Sequence, residues 1–437
     1  MIAAFMRLLR DRRGNALVIA AAMLPLVLGS AGLASDTIQW ALWKRQLQRA
    51  ADSAAIAGVY AIVDGKAVGT CSNISGATYA NPVAWDVKTN NHVGVTPTCS
   101  VTNPPSTGTY TADPRAVRVS LSMQKELSFS SFFMSAAPTI TATSTATVVP
   151  QGKYCVISLE EGSATGIDAT GATVVNLGCG MITNATSLSA AVATGSSSVT
   201  ASPVAAVGGI PASNNWGTGT VLQPFTVQQP DPFANVPMPT PSGCTSFSSI
   251  DTTNQNKPNG TPITVPNPTG VRCIQESGGG TNGASLEIKG DITLSPGVYI
   301  LNATSLKMTN TGAKLTCNGC TIILTGSPVG GVDMEGGKLD MTAPSSGTYK
   351  GILFFQDRNA TAGNTIKING NSNSKLEGAL YFPKGDITYN GTSGQNTACL
   401  QIVTRRVTFT GNSAISNSCP SGGGSGSFDG QSIRLVE

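Results

Sequence analysis

Charge is what this 437-residue chain has least of: 11% of its residues are charged and 5% aromatic, against roughly a quarter charged in an ordinary globular protein. Its net charge is only +4, and no dense Lys/Arg run lies outside the first residues, so nucleic-acid binding is disfavoured. Histidine is nearly absent. His92, the single one, sits in the polar loop "TNNHVGV" and by itself makes neither a histidine metal centre nor a recognisable triad. No glycine-rich string has the phosphate-binding or dinucleotide pattern in a strand-turn-helix setting. What fills the chain instead is glycine, 50 residues of it, with Ser, Thr and Asn, a mixture that suits turns and short strands better than helices. The length allows two or three domains, each able to bury a core.

Ten cysteines are present, an even number, all after residue 70. Behind a membrane-targeting segment, that distribution favours an oxidising compartment and disulfides. Connectivity is not fixed by sequence. Neighbour pairing is the simplest expectation: Cys71 with Cys99, Cys155 with Cys179, Cys244 with Cys273, Cys317 with Cys320, and Cys399 with Cys419.

The targeting segment is residues 16–34, which carry no charge and as a helix reach about 28 Å, close to the apolar thickness of a bilayer. Arg7, Arg10, Arg12 and Arg13 precede it and Asp36 is the first charge after it. The positive-inside rule then keeps residues 1–15 cytoplasmic and exports the rest. Pro25 would kink the span, which membrane helices tolerate. A cleavable signal peptide is the rival, since Gly29, Ala31, Gly32 and Ala34 offer small residues for cleavage. Against it, the helical pattern continues: Trp40, Trp43, Leu47, Ala50, Ala54 and Ala57 recur at three- and four-residue steps as one apolar stripe. The spacing predicts an amphipathic stalk over residues 35–62, ending before the Asp64-Gly65 turn. Its stripe either packs on the chain's own next domain or forms a close helix seam with partner subunits.

The string "RRGNALVIAAAMLPLVLGSAGLASDTIQW" followed by "LQRAADSAAIAG" resembles the N-terminal region of the TadE/TadG-like proteins of the tight-adherence (Flp) pilus machinery. The similar features are Gly14 after the arginines, Pro25 in the span, Asp36 just beyond it and the alanine-rich stalk from Gln48 to Gly58. Residues 117–148 also resemble the strand, membrane-proximal aromatic patch and Thr/Ala-rich strand of that family's exported module. The resemblance implies a membrane-anchored, non-catalytic structural protein of pilus assembly in a bacterial inner membrane, with other assembly proteins as partners and no cofactor, metal or small-molecule substrate. Two features depart from family patterns: Ile19 stands where pilin-like members have Glu five residues after the processed Gly, and no Asp-x-Ser-x-Ser metal motif occurs.

Residues 63–150 read as a small α+β exported module, with loops between Cys71 and Cys99 and alternating strands at residues 116–122 and 139–148. Residues 151–420 read as a series of short apolar strands, "YCVISL", "TVVNL", "GVYIL", "CTIILTG", "GILFFQD", "GALYFPKGDITYNG" and "CLQIVTRRVTFTGNS". Ile300, Ile322, Ile352, Leu380 and Ile402 recur at intervals that match one coil of a right-handed parallel β-solenoid. Asn310, Asn371, Asn390 and Asn412 suit its turns. A β-sandwich is the alternative. Residues 201–273 read as a proline-rich surface excursion pinned by Cys244 and Cys273, and residues 421–437 as a Gly/Ser-rich tail ending in a short strand.

Chemistry is sparse. Cys317-Asn318-Gly319-Cys320 lacks a second Cys pair or a His for zinc and the βαβ setting of redox proteins, so a structural disulfide fits best. Asp333, Glu335, Asp340, Asp357 and Asp386, with Arg358 in "FFQDRNA", could line one solenoid face, the arrangement a carbohydrate-active β-helix enzyme would need. "FFQDRNA" also resembles a segment of TadG-like exported regions. A third reading is an exported adhesin whose solenoid contacts a surface or glycan. For the retained anchor, N-terminal sequencing of the mature protein is expected to find the apolar segment present; a start near Gly32 or Ser35 would refute it.

Overall fold

The computed structural model of the chain describes residues 15–246, 263–275, 284–308, 310–368, 374–392, 395–397, 399–412, 414–417 and 428–437. It divides into two compact units, Met1–Val149 with Ile433–Glu437, and Pro150–Ser432. Arg7, Arg10, Arg12, Arg13, Gly14, Asn371, Cys419 and the Gly/Ser run 418–427 lie outside the described residues.

In the first unit one helix, α1 (Asn15–Val63), runs unbroken through Pro25. It stops where the sequence supplies a turn: Gly65 takes φ +69, and the N–H groups of Asp64, Gly65 and Lys66 close back on the carbonyls of Tyr60, Ile62 and Ala61, satisfying the helix end. A second helix, α2 (Pro82–Asn90), opens on Asn81, whose side chain accepts from the Ala84 N–H, with Pro82 at the first helical position, a start both residues favour. Three antiparallel strands follow, β1 (Thr98–Thr102), β2 (Val117–Gln124) and β3 (Thr139–Ser158). On β2, Val117, Val119, Leu121 and Met123 are buried and the residues between them are not, the alternation a half-buried strand requires. They pack on Leu47, Ala50, Ala51, Ala54, Ala55 and Val59 of α1. Small residues make this contact close: a Cβ on Gly58 would lie 2.8 Å from the Val117 side chain.

One expectation is corrected here. The interval from Cys71 to Cys99 is not only loop, since α2 lies in it; with nine residues and only three buried, α2 gives little periodic pattern to read. The short strand expected at the end of the chain is present, Phe428–Leu435. Ile433 joins the first unit's core, the Thr145 N–H donates to the Glu437 carbonyl at 2.7 Å and the Val436 N–H to the Thr145 carbonyl at 2.8 Å.

The second unit is a parallel β-solenoid of about nine turns, not a sandwich. Among the described residues its strands fall into three parallel ladders. One coil, for instance, runs through Gly297–Asn302, Thr304–Lys307 and Lys314–Asn318 before the next begins at Cys320–Thr325. Residues equivalent between coils stack in register: Tyr299, Ile322, Phe354, Leu380 and Ile402 form one column. Because side chains alternate across a strand, that column faces inward to the lumen core, while its neighbours Ile300, Ile323, Phe355, Tyr381 and Val403 form a second apolar stripe on the outside of the same ladder.

Stacking order does not follow chain order. The coil holding Cys399–Asn412 pairs with the first coil in all three ladders, Ile402 opposite Val156, Val407 opposite Ile167 and Ile415 opposite Val175. From that junction the coils of residues 154–223 stack in one direction and those of residues 245–412 in the other. The chain therefore has to return from Leu222–Gln223 at one end of the stack to Thr245–Ser246 at the other.

The proline-rich segment makes that return, and the expected excursion of residues 201–273 narrows to a strap. Val204–Ala206, Leu222–Gln223, Ile263–Val265 and Val271–Gln275 belong to coils. Along the strap the contacts step steadily down the stack: the Thr226 N–H donates to Ala206, Gln229 exchanges hydrogen bonds with Asn184, and Asp231 accepts from Tyr381 at 2.7 Å. Further down, Phe233 and Val236 receive Arg358, the Pro237 carbonyl accepts from Tyr349 at 3.0 Å, and Cys244 is joined to Cys273. Ala206 to Cys273 along the ladder is about 40 Å at ~4.8 Å per strand, and the strap from Thr226 to Cys244 reaches about 55 Å when extended as polyproline II. Phe233, Val236 and Met238 cover the outer apolar stripe, so prolines that could not sit in a central strand serve where no ladder hydrogen bond is needed.

Charge is concentrated at the junction. Glu160 of the first coil, 9% exposed, accepts from Arg405 at 3.2 Å and Arg406 at 2.7 Å in the last, and Arg405 also pairs with Asp386. Burial alone would raise the Glu160 carboxyl, but the Arg406 hydrogen bond, the Gly162 N–H and both guanidinium charges outweigh it and hold the group below its ordinary value. A lowered folded pKa contributes stability that is present above the unfolded value and lost as pH falls through the folded one. Glu160→Gln is expected to cost about 1.5–3 kcal/mol at neutral pH, with the gap to the unaltered protein closing below about pH 4 in denaturation titrations; a gap independent of pH would contradict this.

Candidate membrane-proximal site

Among the described residues one helix is long and apolar enough to cross a membrane, Ile19–Val63 within α1. Its two halves differ. From Ile19 to Leu33 the large apolar side chains, Met23, Leu24, Leu26, Val27 and Leu28 among them, stand more than half exposed, with no polar face to give them a water-side. From Leu47 onward the small apolar face is covered by the unit's own strands.

The change falls at Asp36. This carboxylate is 3% exposed and accepts four hydrogen bonds from one loop: two from the Phe129 N–H, both at 3.1 Å, one from the Ser130 N–H at 2.5 Å and one from the Ser130 hydroxyl at 2.6 Å. The loop forms a short 3-10 turn, Ser130–Phe132, whose orphan donors the carboxylate satisfies as an N-terminal cap does. One turn back along α1 the Phe129 ring lies on Gly32, where a Cβ would come within 2.4 Å of it. Beyond the turn, Phe132, Phe133 and Met134 are 83%, 78% and 49% exposed. Sequence pattern singles out Asp36 as the first charge after the span but not its partner, which is 93 residues away.

The other expected residues are dispersed. Of the apolar stripe, Leu47, Ala50 and Ala54 are fully buried in the first unit's core, Trp43 packs at its edge, Trp40 is 39% exposed and Ala57 is half-buried; the chain's own strands thus take the middle of the stripe. Lys125 lies over the Trp43 ring at 4.5 Å. Cys71 is joined to Cys99, Cys155 to Cys179 and Cys317 to Cys320; the side chain of Cys399 and all of Cys419 lie outside the described residues. His92 is exposed in the loop after α2.

The candidate carboxylates are spread over more than one ladder, although Asp333 and Glu335 both lie beside Lys367. Asp386 is held by Arg405, Asp357 accepts from Thr325 at 2.7 Å, and Glu335 pairs with Lys367. Asp340 sits on a different ladder from Asp333. Arg358 is engaged by the strap and by Tyr381 at 3.0 Å. Burial, followed by the hydrogen bond to Asp231, pushes the Tyr381 phenol upward, which suits a structural donor. Among the described residues no group of three or more His, Cys, Asp or Glu could hold a metal ion.

Comparison with known proteins adds one match. The family model Tad, TadE/G-like Flp pilus assembly, matches residues 14–61, a stretch that coincides with α1 and supports the family resemblance. No curated protein and no solved structure matches the chain. The Asp36 cap carries a direct test: Asp36→Ala is expected to raise amide hydrogen exchange at Phe129 and Ser130 by an amount equivalent to about 1.5–3 kcal/mol, the scale of hydrogen bonds to a charged group; unchanged protection there would refute the assignment.

Proposed function

We propose that the protein is a single-pass membrane-anchored structural component of a Tad-type adhesive pilus, acting as a scaffold in assembly or anchoring and not as an enzyme. The observation that carries this is the family match itself, because it falls on the one helix that joins an exposed apolar span to a buried stalk. The arginine-rich residues before the span place the N-terminus in the cytoplasm by the positive-inside rule, and the disulfides suit an exported remainder. In a bacterial inner membrane this gives a protein whose span faces other assembly components and whose low-charge solenoid is presented to the envelope.

The engagement of Asp386 by Arg405, Glu335 by Lys367 and Asp357 by Thr325 favours the scaffold over a carbohydrate-active β-helix, whose two acids must be free to exchange protons with substrate. Ile19, in place of the Glu of processed pilins, favours an assembly component over a pilus subunit. Deletion is expected to abolish piliation and surface attachment, scored by electron microscopy and adhesion assay, with restoration by the gene in trans. A deletion strain that still assembles pili and attaches would overturn the proposal.

A further inference from the structure

The loop held by Asp36 has a property that its exposed aromatics alone would not give. Every backbone N–H from Phe129 to Met134 already has an acceptor within the unit: Asp36 for Phe129 and Ser130, the Leu127 carbonyl for Ser131, Phe129 for Phe132, and Ser130 for both Phe133 and Met134. A segment exposed to water does not need this, because water satisfies free donors. A segment exposed to lipid does, since an unsatisfied donor there costs several kcal/mol.

The loop also sits at a defined depth. Phe129 lies on Gly32 and its N–H on Asp36, which brackets the end of the uncharged span. Phe132, Phe133 and Met134 are the loop's exposed large apolar side chains, with the Phe133 ring packed on Phe129 at 5.4 Å. Apolar side chains such as Phe on a membrane-surface segment bury at the boundary between headgroups and acyl chains.

We propose that residues 129–134 insert into the interfacial region of the phospholipid leaflet on the exported side, as a second membrane contact beside α1, and that Asp36 is the positioning residue that fixes the depth. The occupant follows from continuity with the exposed apolar half of α1, at whose end the loop is held. The inference rests on α1 spanning a bilayer, not on the pilus role. It makes the first unit stand on the membrane at two points, which resists tilting about the helix.

The test is photocrosslinking of the full-length protein in phosphatidylcholine vesicles, with a benzophenone amino acid placed in turn at Phe132, Phe133, Leu28 and Tyr79. Leu28 reports the span itself. Tyr79 is 80% exposed and stacks at 4.3 Å on Trp85 of α2, which packs by Val83 near Gly58, some 33 Å along α1 from Asp36 at ~1.5 Å per residue. Phospholipid adducts seen by mass spectrometry at positions 132, 133 and 28 but not 79 are the expected result. Introducing Asp36→Ala is expected to lower adduct yield at 132 and 133 at least threefold while leaving Leu28 unchanged. Adducts at Leu28 with none at 132 or 133, or crosslinks there to protein, would overturn the inference; no adduct at Leu28 would overturn its premise, the span.

Discussion

A single helix whose side-chain environment changes at Asp36, from exposed to covered, governs how the first unit is built. Below that residue α1 carries large apolar side chains on all sides and buries none of them; above it, Ala50, Ala51, Ala54 and Ala55 let the strands approach the backbone closely. The two halves obey different rules. Lipid rewards exposed Leu and Val and gives helix packing no hydrophobic drive, whereas in water the alanine face is stable only when covered. Asp36 belongs to neither half: its carboxylate is hydrogen-bonded by three donors from one loop, the Phe129 N–H to both oxygens and the Ser130 N–H and hydroxyl to one, an arrangement that makes a buried carboxylate tolerable.

The solenoid answers a separate constraint. Each coil has backbone groups on both edges and needs a neighbour above and below. A chain that simply wound from one end to the other would begin and finish at opposite edges. Here the first and last coils meet in mid-stack, so residues 154 and 412 are near the junction and the exposed edges fall to strands inside the sequence. The consequence is the strap, which must cross the stack and in doing so covers the outer apolar stripe. Glu160, Arg405, Arg406 and Asp386 hold the junction where backbone continuity is missing.

Much of this is readable from residues because it is periodic. The stripe from Trp40 to Ala57 predicts α1 to within a residue of its end, and the recurring Ile300, Ile322, Ile352, Leu380 and Ile402 predict the coil, with Ile322, Leu380 and Ile402 in the observed column and the other two shifted to Tyr299 and Phe354. What escapes is what periodicity does not encode. A repeat states that coils stack, not which coil is next to which, so the pairing of Ile402 with Val156 is invisible. Prolines between 224 and 241 read as loop, which is right locally and silent about their path. Asp36 is conspicuous as a lone carboxylate after an apolar run, yet nothing near it in sequence names Phe129 and Ser130.

The helix that matches the TadE/G-like model is proposed to anchor the solenoid as a scaffold within pilus assembly. Affinity capture of the tagged full-length protein from detergent-solubilised membranes, followed by mass spectrometry of its neighbours, tests that claim most directly. The expected result is recovery from the membrane fraction together with other Flp pilus-assembly components. Recovery in the soluble fraction, or from membranes with no pilus-assembly protein enriched, would contradict it.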